Sequence, residues 1–319
     1  MLMLVKYISG DRTEFLENGF FRITQPQYLN DPSGEGVFTP FFNKFSDTDL
    51  KYAYKKYQNS IFYDGPNVSN NFLIKNYLLP NGERYSIDKF PSLKSFDEFN
   101  GFNTMEEYDR HHATNFIKHI NTNLLNALNN LVGIFSLTDS LINLEMWLRY
   151  GQHGKGFVIS FDSAHSFFKS YKIQKVKYND AERASISYYE GIIRINGILI
   201  PNKLTNADEI SKYYFQNINH QDFFERLLLT KHERWKSENE YRIVFNLSDH
   251  DEIKENNIYL KKVPFTCFEA LTFGWDVTEE YINKIKKIAN TNPELSHLKF
   301  KQVKYGELEN HDQLEIFDL

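Results

Sequence analysis

The feature that most constrains this chain is a helical repeat near its middle. Tyr108, His112, Phe116, Ile120 and Leu124 recur four residues apart, which sets them along one face of an α-helix. Thr104 and Glu107 have capping-box spacing at its start. The spacing predicts a long amphipathic helix over about residues 104–130. Strand-like segments surround it. Leu2–Ile8 alternates as a first strand, and 13–18 reads as a short helix ended by Gly19. Phe20–Thr24 reads as a second strand, with a turn at Asn30-Asp31-Pro32.

Farther along, Leu131–Leu137, Phe157–Phe161, 174–178, Tyr241–Asn246, Ala270–Gly274 and Leu298–Val303 read as strands, the last closing the sheet. Helical stretches are predicted over 143–150, 183–193 and 207–235. Another, capped by Thr278, turns Tyr281, Ile282, Ile285 and Ile288 inward. No repeat, linker or composition break interrupts the chain. The expectation is one α+β domain over 1–319, with a mainly helical insertion around 41–130.

Composition narrows the function classes. With 41% hydrophobic and 16% aromatic residues, the chain is globular rather than disordered. A net charge of −5 provides no overall basic field for nucleic acid or an anionic membrane. The single cysteine, Cys267, excludes a disulfide framework and a multi-thiolate zinc site. The apolar start, Met1–Val5, is too short for a signal peptide or a membrane span. Cytoplasmic residence and no membrane partner are expected.

Familiar catalytic motifs are missing: there is no G-x-S-x-G, Walker loop, dinucleotide fingerprint or H-E-x-x-H. Gly151, Gly154 and Gly156 precede a strand rather than a helix, so a turn is favoured over a phosphate loop. The histidines lack metal-ligand spacing, and no metal site is expected. His153, inside the glycine turn, is the one to watch. The tract Trp235–Phe245 is more informative. Glu238 and Glu240 stand two apart at the head of a strand, which predicts that they project to the same side and perturb each other. Arg242 continues the alternation and can neutralise one of them. An exposed Glu–Arg ladder of little energetic consequence is the plain alternative.

Three blocks give the chain a resemblance to a bacterial family catalogued as domain of unknown function 2971. The first is Lys6-Tyr7 with Leu16–Phe21 and Tyr28–Pro32. The second is Ile134–Leu137 with Met146–Gly151 and His153–Ile159. The third is Lys231, Trp235 and Glu238–Arg242. A further resemblance is to ADP-ribosyltransferase-like domains. Tyr7 on the first strand, Ser136-Leu137-Thr138 and Glu238-Asn239-Glu240 follow those domains' three motifs in order. This implies a split mixed or antiparallel β-sheet core with helical insertions, and NAD as substrate.

The resemblance also distributes roles. Glu240 would stabilise the ribosyl cation formed as the nicotinamide–ribose bond breaks. Glu238 would orient or deprotonate the acceptor, Ser136 would hold the ribose or the catalytic Glu, and Tyr7 would stack on the nicotinamide. Lys6 or Arg12 would lie near the phosphates. Asn30 and Asp31 would sit on a loop over the cofactor, with Thr138 in the same binding set. Trp147, Tyr150, His153 and Arg242 would shape the acceptor side. The partners implied are NAD, a protein or nucleic-acid acceptor, and an antitoxin or defence-system partner of a toxin-like or antiphage effector. Ile8 stands where the family tends to have Arg, which motivates a rival: a non-catalytic nucleotide-sensing or protein-binding module on the same fold. A metal-dependent hydrolase or nuclease, using Glu225 and Glu233 with the Glu-x-Glu pair, is the third reading.

Overall fold

The computed structural model describes residues 3–30, 37–79, 105–189, 192–201, 203–204, 207–305 and 314–319. The protein is mixed α/β, with parallel and antiparallel strand pairs. It divides into two compact units. One comprises Met1–Leu29, Asn129–Tyr178 and Glu233–Leu319, and the other Asn30–Leu128 and Asn179–His232. The expected insertion thus falls in the second unit, which takes a further segment from 179–232.

The first unit is built on an eight-stranded sheet. Its strands run in the order Leu314–Asp318, Lys299–Tyr305, Phe268–Phe273, Phe157–Phe161, Leu4–Ile8, Val132–Thr138, Glu240–Asn246 and Gln174–Lys175. Phe268–Phe273 and Lys299–Tyr305 pair in parallel. Helix Glu279–Asn290 lies between them in sequence, as a parallel pair requires a crossover. Thr278 caps that helix, and Ile282, Ile285 and Ala289 are buried on its inner face. Alternation divides each strand between two faces. Leu4, Ile8, Phe135, Phe157, Ile159, Phe161, Ile243 and Phe245 join one apolar core, while Val5, Tyr7, Trp147, Val158 and Val303 join another. Leu314–Asp318 adds an edge strand beyond Lys299–Tyr305, which the sequence reading has closing the sheet.

The sheet forks beside Val132–Thr138. The opening strand pairs along its length with Phe157–Phe161 but meets Val132–Thr138 only at Val5–Thr138. Two residues farther back along the fork, the Ser136 carbonyl accepts instead from the Lys6 ammonium at 2.9 Å. Another two residues back, Thr24 and Ile134 exchange backbone hydrogen bonds of 2.8 Å. In an antiparallel ladder, alternate residues direct their backbone groups to the same edge. Thr138, Ser136 and Ile134 therefore present one edge to three different partners. The chain reaching Thr24 comes from Phe20–Arg22, part of a small sheet with Ile258–Lys262 and Glu252–Lys254.

The second unit has its own four-stranded sheet of Ile198–Leu199, Ile192–Ile195, Ser185–Tyr189 and Thr39–Phe42. This corrects the helix predicted over 183–193. Asn196 and Gly197 have φ of 47° and 84°, the left-handed pair that closes a tight hairpin. The helix predicted over 207–235 is broken into Ala207–Asn217 and His220–Leu228, the second capped by Asn219. Met105–Leu131 is a single helix, as its periodicity predicts. Thr104 and the side chains of Tyr108 and His112 lie outside the described residues. No described helix is long and apolar enough to cross a membrane.

Candidate functional site

The Glu-x-Glu tract lies where a six-residue 3₁₀ segment, Glu233–Glu238, gives way to the strand Glu240–Asn246. Asn239 joins them with φ of 49°, in the left-handed region that Asn tolerates better than most residues. This kink overturns the expectation that the two glutamates share a side. Alternation holds only along continuous strand, and Glu238 precedes it.

Each carboxylate consequently has its own partners. Glu240 is 6% exposed and Arg242 1%. They form a two-pronged ion pair, with Arg242 Nε donating to Oε1 at 2.7 Å and Nη2 to Oε2 at 2.9 Å. The geometry is the planar match that makes arginine the preferred partner of a carboxylate. The exposed Glu–Arg ladder considered from sequence is a buried pair instead. Glu240 N–H donates to the Tyr178 hydroxyl at 2.8 Å, which anchors the strand head. Glu238 is 2% exposed. It accepts from the Tyr150 hydroxyl at 2.8 Å, and Arg149 approaches to 3.6 Å. Its backbone carbonyl accepts from Thr138 Oγ1, also at 2.8 Å.

Adjacent strands bring the other predicted residues nearby. Glu240 is level with Thr138, and Arg242 with Ser136. Tyr7 lies on the next strand, buried at 8% exposure. Its hydroxyl donates to the Ser140 carbonyl at 2.9 Å, and its ring stands edge-on to Trp147 at 5.1 Å. Burial pushes its phenol pKa well up. The ring expected to stack on nicotinamide is thus packed against indole. Trp147 is fully buried, with its N–H bonded to the Leu141 carbonyl. Its place is in the core, and Tyr150, on the same short helix, supplies the polar contact to Glu238.

Lys6 alternates onto the face opposite Tyr7. Burial lowers its ammonium pKa to about 8, with Glu240 opposing the shift and Arg12 adding to it. Its ammonium also lies 4.6 Å over the Phe135 ring. Arg12 is exposed. His153 is exposed on the glycine turn with φ of 56°. That turn is a close-packing device: a Cβ on Gly156 would lie 2.4 Å from the Ile8 carbonyl oxygen, and one on Gly154 2.3 Å from Trp275. Asn30 belongs to the second unit, and Asp31 lies outside the described residues.

Sequence reasoning overlooked Arg149, Tyr178 and Arg22. Arg149 was visible inside the Trp-Leu-Arg-Tyr block, and Arg22 as a charge interrupting an apolar strand. Tyr178 carried no local signal, because its partner is distant in sequence. Among the described residues, no group of three or more His, Cys, Asp or Glu could hold a metal ion.

Residues 146–243 match the model of a family described as a protein of unknown function, DUF2971. The matched segment, under a third of the chain, contains Trp147, Tyr150, His153, Glu238, Glu240 and Arg242. No curated protein and no solved structure matches the chain.

Proposed function

We propose, with the DUF2971 match as premise, that this chain is an ADP-ribosyltransferase-like enzyme that cleaves the nicotinamide–ribose bond of NAD. The observation that carries the reading is a convergence. Tyr7, the Ser136–Thr138 segment and Glu240 are distant in sequence, yet they come from three neighbouring strands of a sheet that forks at Ser136. A fork in a sheet is where an elongated ligand reaches backbone and side chains from both branches. The finer fold assignment, a split ADP-ribosyltransferase-like core, rests on the same fork.

Cleavage of the glycosidic bond leaves positive charge on the ribose. A carboxylate lowers the barrier when it favours that charge more than the ground state. Arg242 orients Glu240 by meeting both of its oxygens, while Tyr150 and Arg149 hold Glu238 one residue outside the strand. Glu240 is the electrostatic stabiliser in this reading, and Glu238 orients the acceptor. The test is NAD consumption by the purified chain, read by nicotinamide release. Wild type should turn over, and Glu240→Gln should lose about 10²-fold or more in rate with its circular dichroism unchanged. Equal inertness of both proteins toward NAD, with protein, RNA and DNA offered as acceptors, overturns the reading.

One observation favours a second reading. Arg242 occupies both oxygens of Glu240, as suits a non-catalytic nucleotide-binding module. Calorimetry distinguishes the two: heat of NAD binding with no nicotinamide released supports the module, and turnover removes it.

A further inference from the structure

The eight-stranded sheet of the first unit ends differently on its two sides. One side ends at Gln174–Lys175, a strand of two residues with a further lysine at Lys177. A short, lysine-bearing edge discourages pairing with another chain. The other side ends at Leu314–Asp318, five residues long, and among the described residues no strand lies beyond it. Ile316 is 39% exposed and Phe317 43%. A longer edge with exposed apolar side chains is a template for a further strand.

Register decides which backbone groups are left over. Leu319 N–H donates to the Phe300 carbonyl at 2.9 Å, and Phe317 and Glu315 lie level with Gln302 and Lys304. Alternation therefore turns the backbone of Leu319, Phe317 and Glu315 toward Lys299–Tyr305, and that of Leu314, Ile316 and Asp318 outward. Side chains divide in the same way. Ile316 is level with Val303 and shares its face with Leu314, and Val303 and Leu314 both belong to the apolar core on that face. Glu315 and Phe317 lie on the other face with Lys304, whose ammonium stands 5.7 Å over the Phe317 ring. Lys301 has Asp318 at 3.6 Å, whereas among the described residues neither Lys304 nor Glu315 has an ion-pair partner.

This edge complements itself. A two-fold axis through Ile316 sets two copies of the strand antiparallel over all five residues. The outward N–H and C=O groups of Leu314, Ile316 and Asp318 then meet those of Asp318, Ile316 and Leu314 in the second copy. Ile316 packs against the second copy's Ile316 and extends the apolar face begun by Val303 and Leu314. Glu315 falls opposite the second copy's Phe317, and so beside the Lys304 ammonium that covers that ring. An axis through Phe317 would set Ile316 against Asp318 and shorten the overlap, and one through Glu315 would oppose two carboxylates.

We propose that Leu314–Asp318 is a self-association strand, through which two copies of this chain pair antiparallel about Ile316 and join their sheets into one. A contact of two five-residue strands falls short of the roughly 1,200 Å² at which standard interfaces begin. The dimer is accordingly reversible, with a dissociation constant in the micromolar range. Self-association is independent of the NAD reading, since no residue of the Glu240 site takes part.

The experiment is sedimentation equilibrium of the full chain over about 1–200 µM. Wild type should pass from one chain toward two across that range. Ile316→Pro removes the outward N–H at the axis and none that the monomer's own ladder uses, and should weaken association about tenfold or more. Glu315→Lys and Lys304→Glu should each stay monomeric, because like charges then meet across the axis. Their equimolar mixture should regain a dimer, because each copy supplies the charge that the other lacks. That rescue requires contact between copies, and no change within one chain reproduces it. Circular dichroism and urea midpoints check the fold of each variant, and if Ile316→Pro unfolds, the charge mixture decides alone. A wild type that stays monomeric throughout overturns the proposal and leaves the edge to a strand from a different chain. Association by a folded Ile316→Pro as tight as wild type, or a mixture that stays monomeric, overturns it equally.

Discussion

At the scale of single residues, the Glu240–Arg242 pair has the largest consequences. Two buried charges are tolerated when each satisfies the other, and removal of one leaves its partner desolvated and unpaired. Arg242→Met and Glu240→Leu should each lower unfolding free energy by roughly 3–5 kcal/mol. The double variant should lose clearly less than the sum, because neither orphan remains. Urea titration of all four proteins measures this, and additive losses would show that the pair is not coupled. Lys6 makes a prediction of opposite sign to the usual salt-bridged lysine. Burial, only partly offset by Glu240 and reinforced by the charge of Arg12, lowers its pKa from the ordinary 10.5 to about 8. Between these values the unfolded chain binds more protons than the folded one, so this group's contribution to stability rises with pH. Wild type should therefore gain stability from about pH 8 to 10.5 relative to Lys6→Met, and parallel urea midpoints across that range would refute it.

At the scale of elements, sequence periodicity and caps identified those strands and helices whose signals are local. Gly19 ends Phe15–Asn18 with φ of 73°, and Thr278 starts Glu279–Asn290, where the sequence predicts both. The failures have equally physical causes. Tyr188, Ile192 and Ile195 fit a helical spacing as well as two short strands, and only the Asn196-Gly197 turn distinguishes the two. A shared side for Glu238 and Glu240 requires extended backbone between them, and the left-handed Asn239, with φ of 49°, leaves no signature in the alternation. The fork at Ser136 depends on pairings between residues over a hundred positions apart, which periodicity cannot register. The glycine turn at 151–156 yields the test at this scale. Backbone blocks a Cβ at Gly156, with the Ile8 carbonyl oxygen 2.4 Å away. Gly156→Ala should destabilise by about 1–3 kcal/mol and shift the opening strand that carries Lys6 and Tyr7. A thermal midpoint equal to wild type would show that the turn relaxes without cost.

At the scale of the whole molecule, each of the two units carries a buried polar group that organises its own core, and both are arginine–carboxylate pairs. In the second unit, Asp49 is fully buried at the start of helix Asp47–Gln58. It faces Arg194 at 3.4 Å and accepts hydrogen bonds from Ser46 and Ser187. Arg194 also donates to the Gly197 carbonyl at 2.6 Å, so one network ties a helix start, a strand and a hairpin turn together. A buried network is costly when partly broken. Asp49→Ala would leave Arg194 short of its counter-charge in a site water does not reach. Native-state hydrogen exchange reports openings segment by segment, and should detect this locally. Amides of 46–58 and 185–195 should exchange faster in Asp49→Ala, by an amount reflecting a loss of about 3 kcal/mol or more. Amides of Val132–Thr138 and Phe157–Phe161, strands of the other unit, should keep their protection. Uniform loss across both sets would mean that the chain opens as one cooperative body. That result would also change how the Glu240 and Arg242 variants are read, since any stability they lose would then be drawn from the entire fold rather than from the unit that holds the fork.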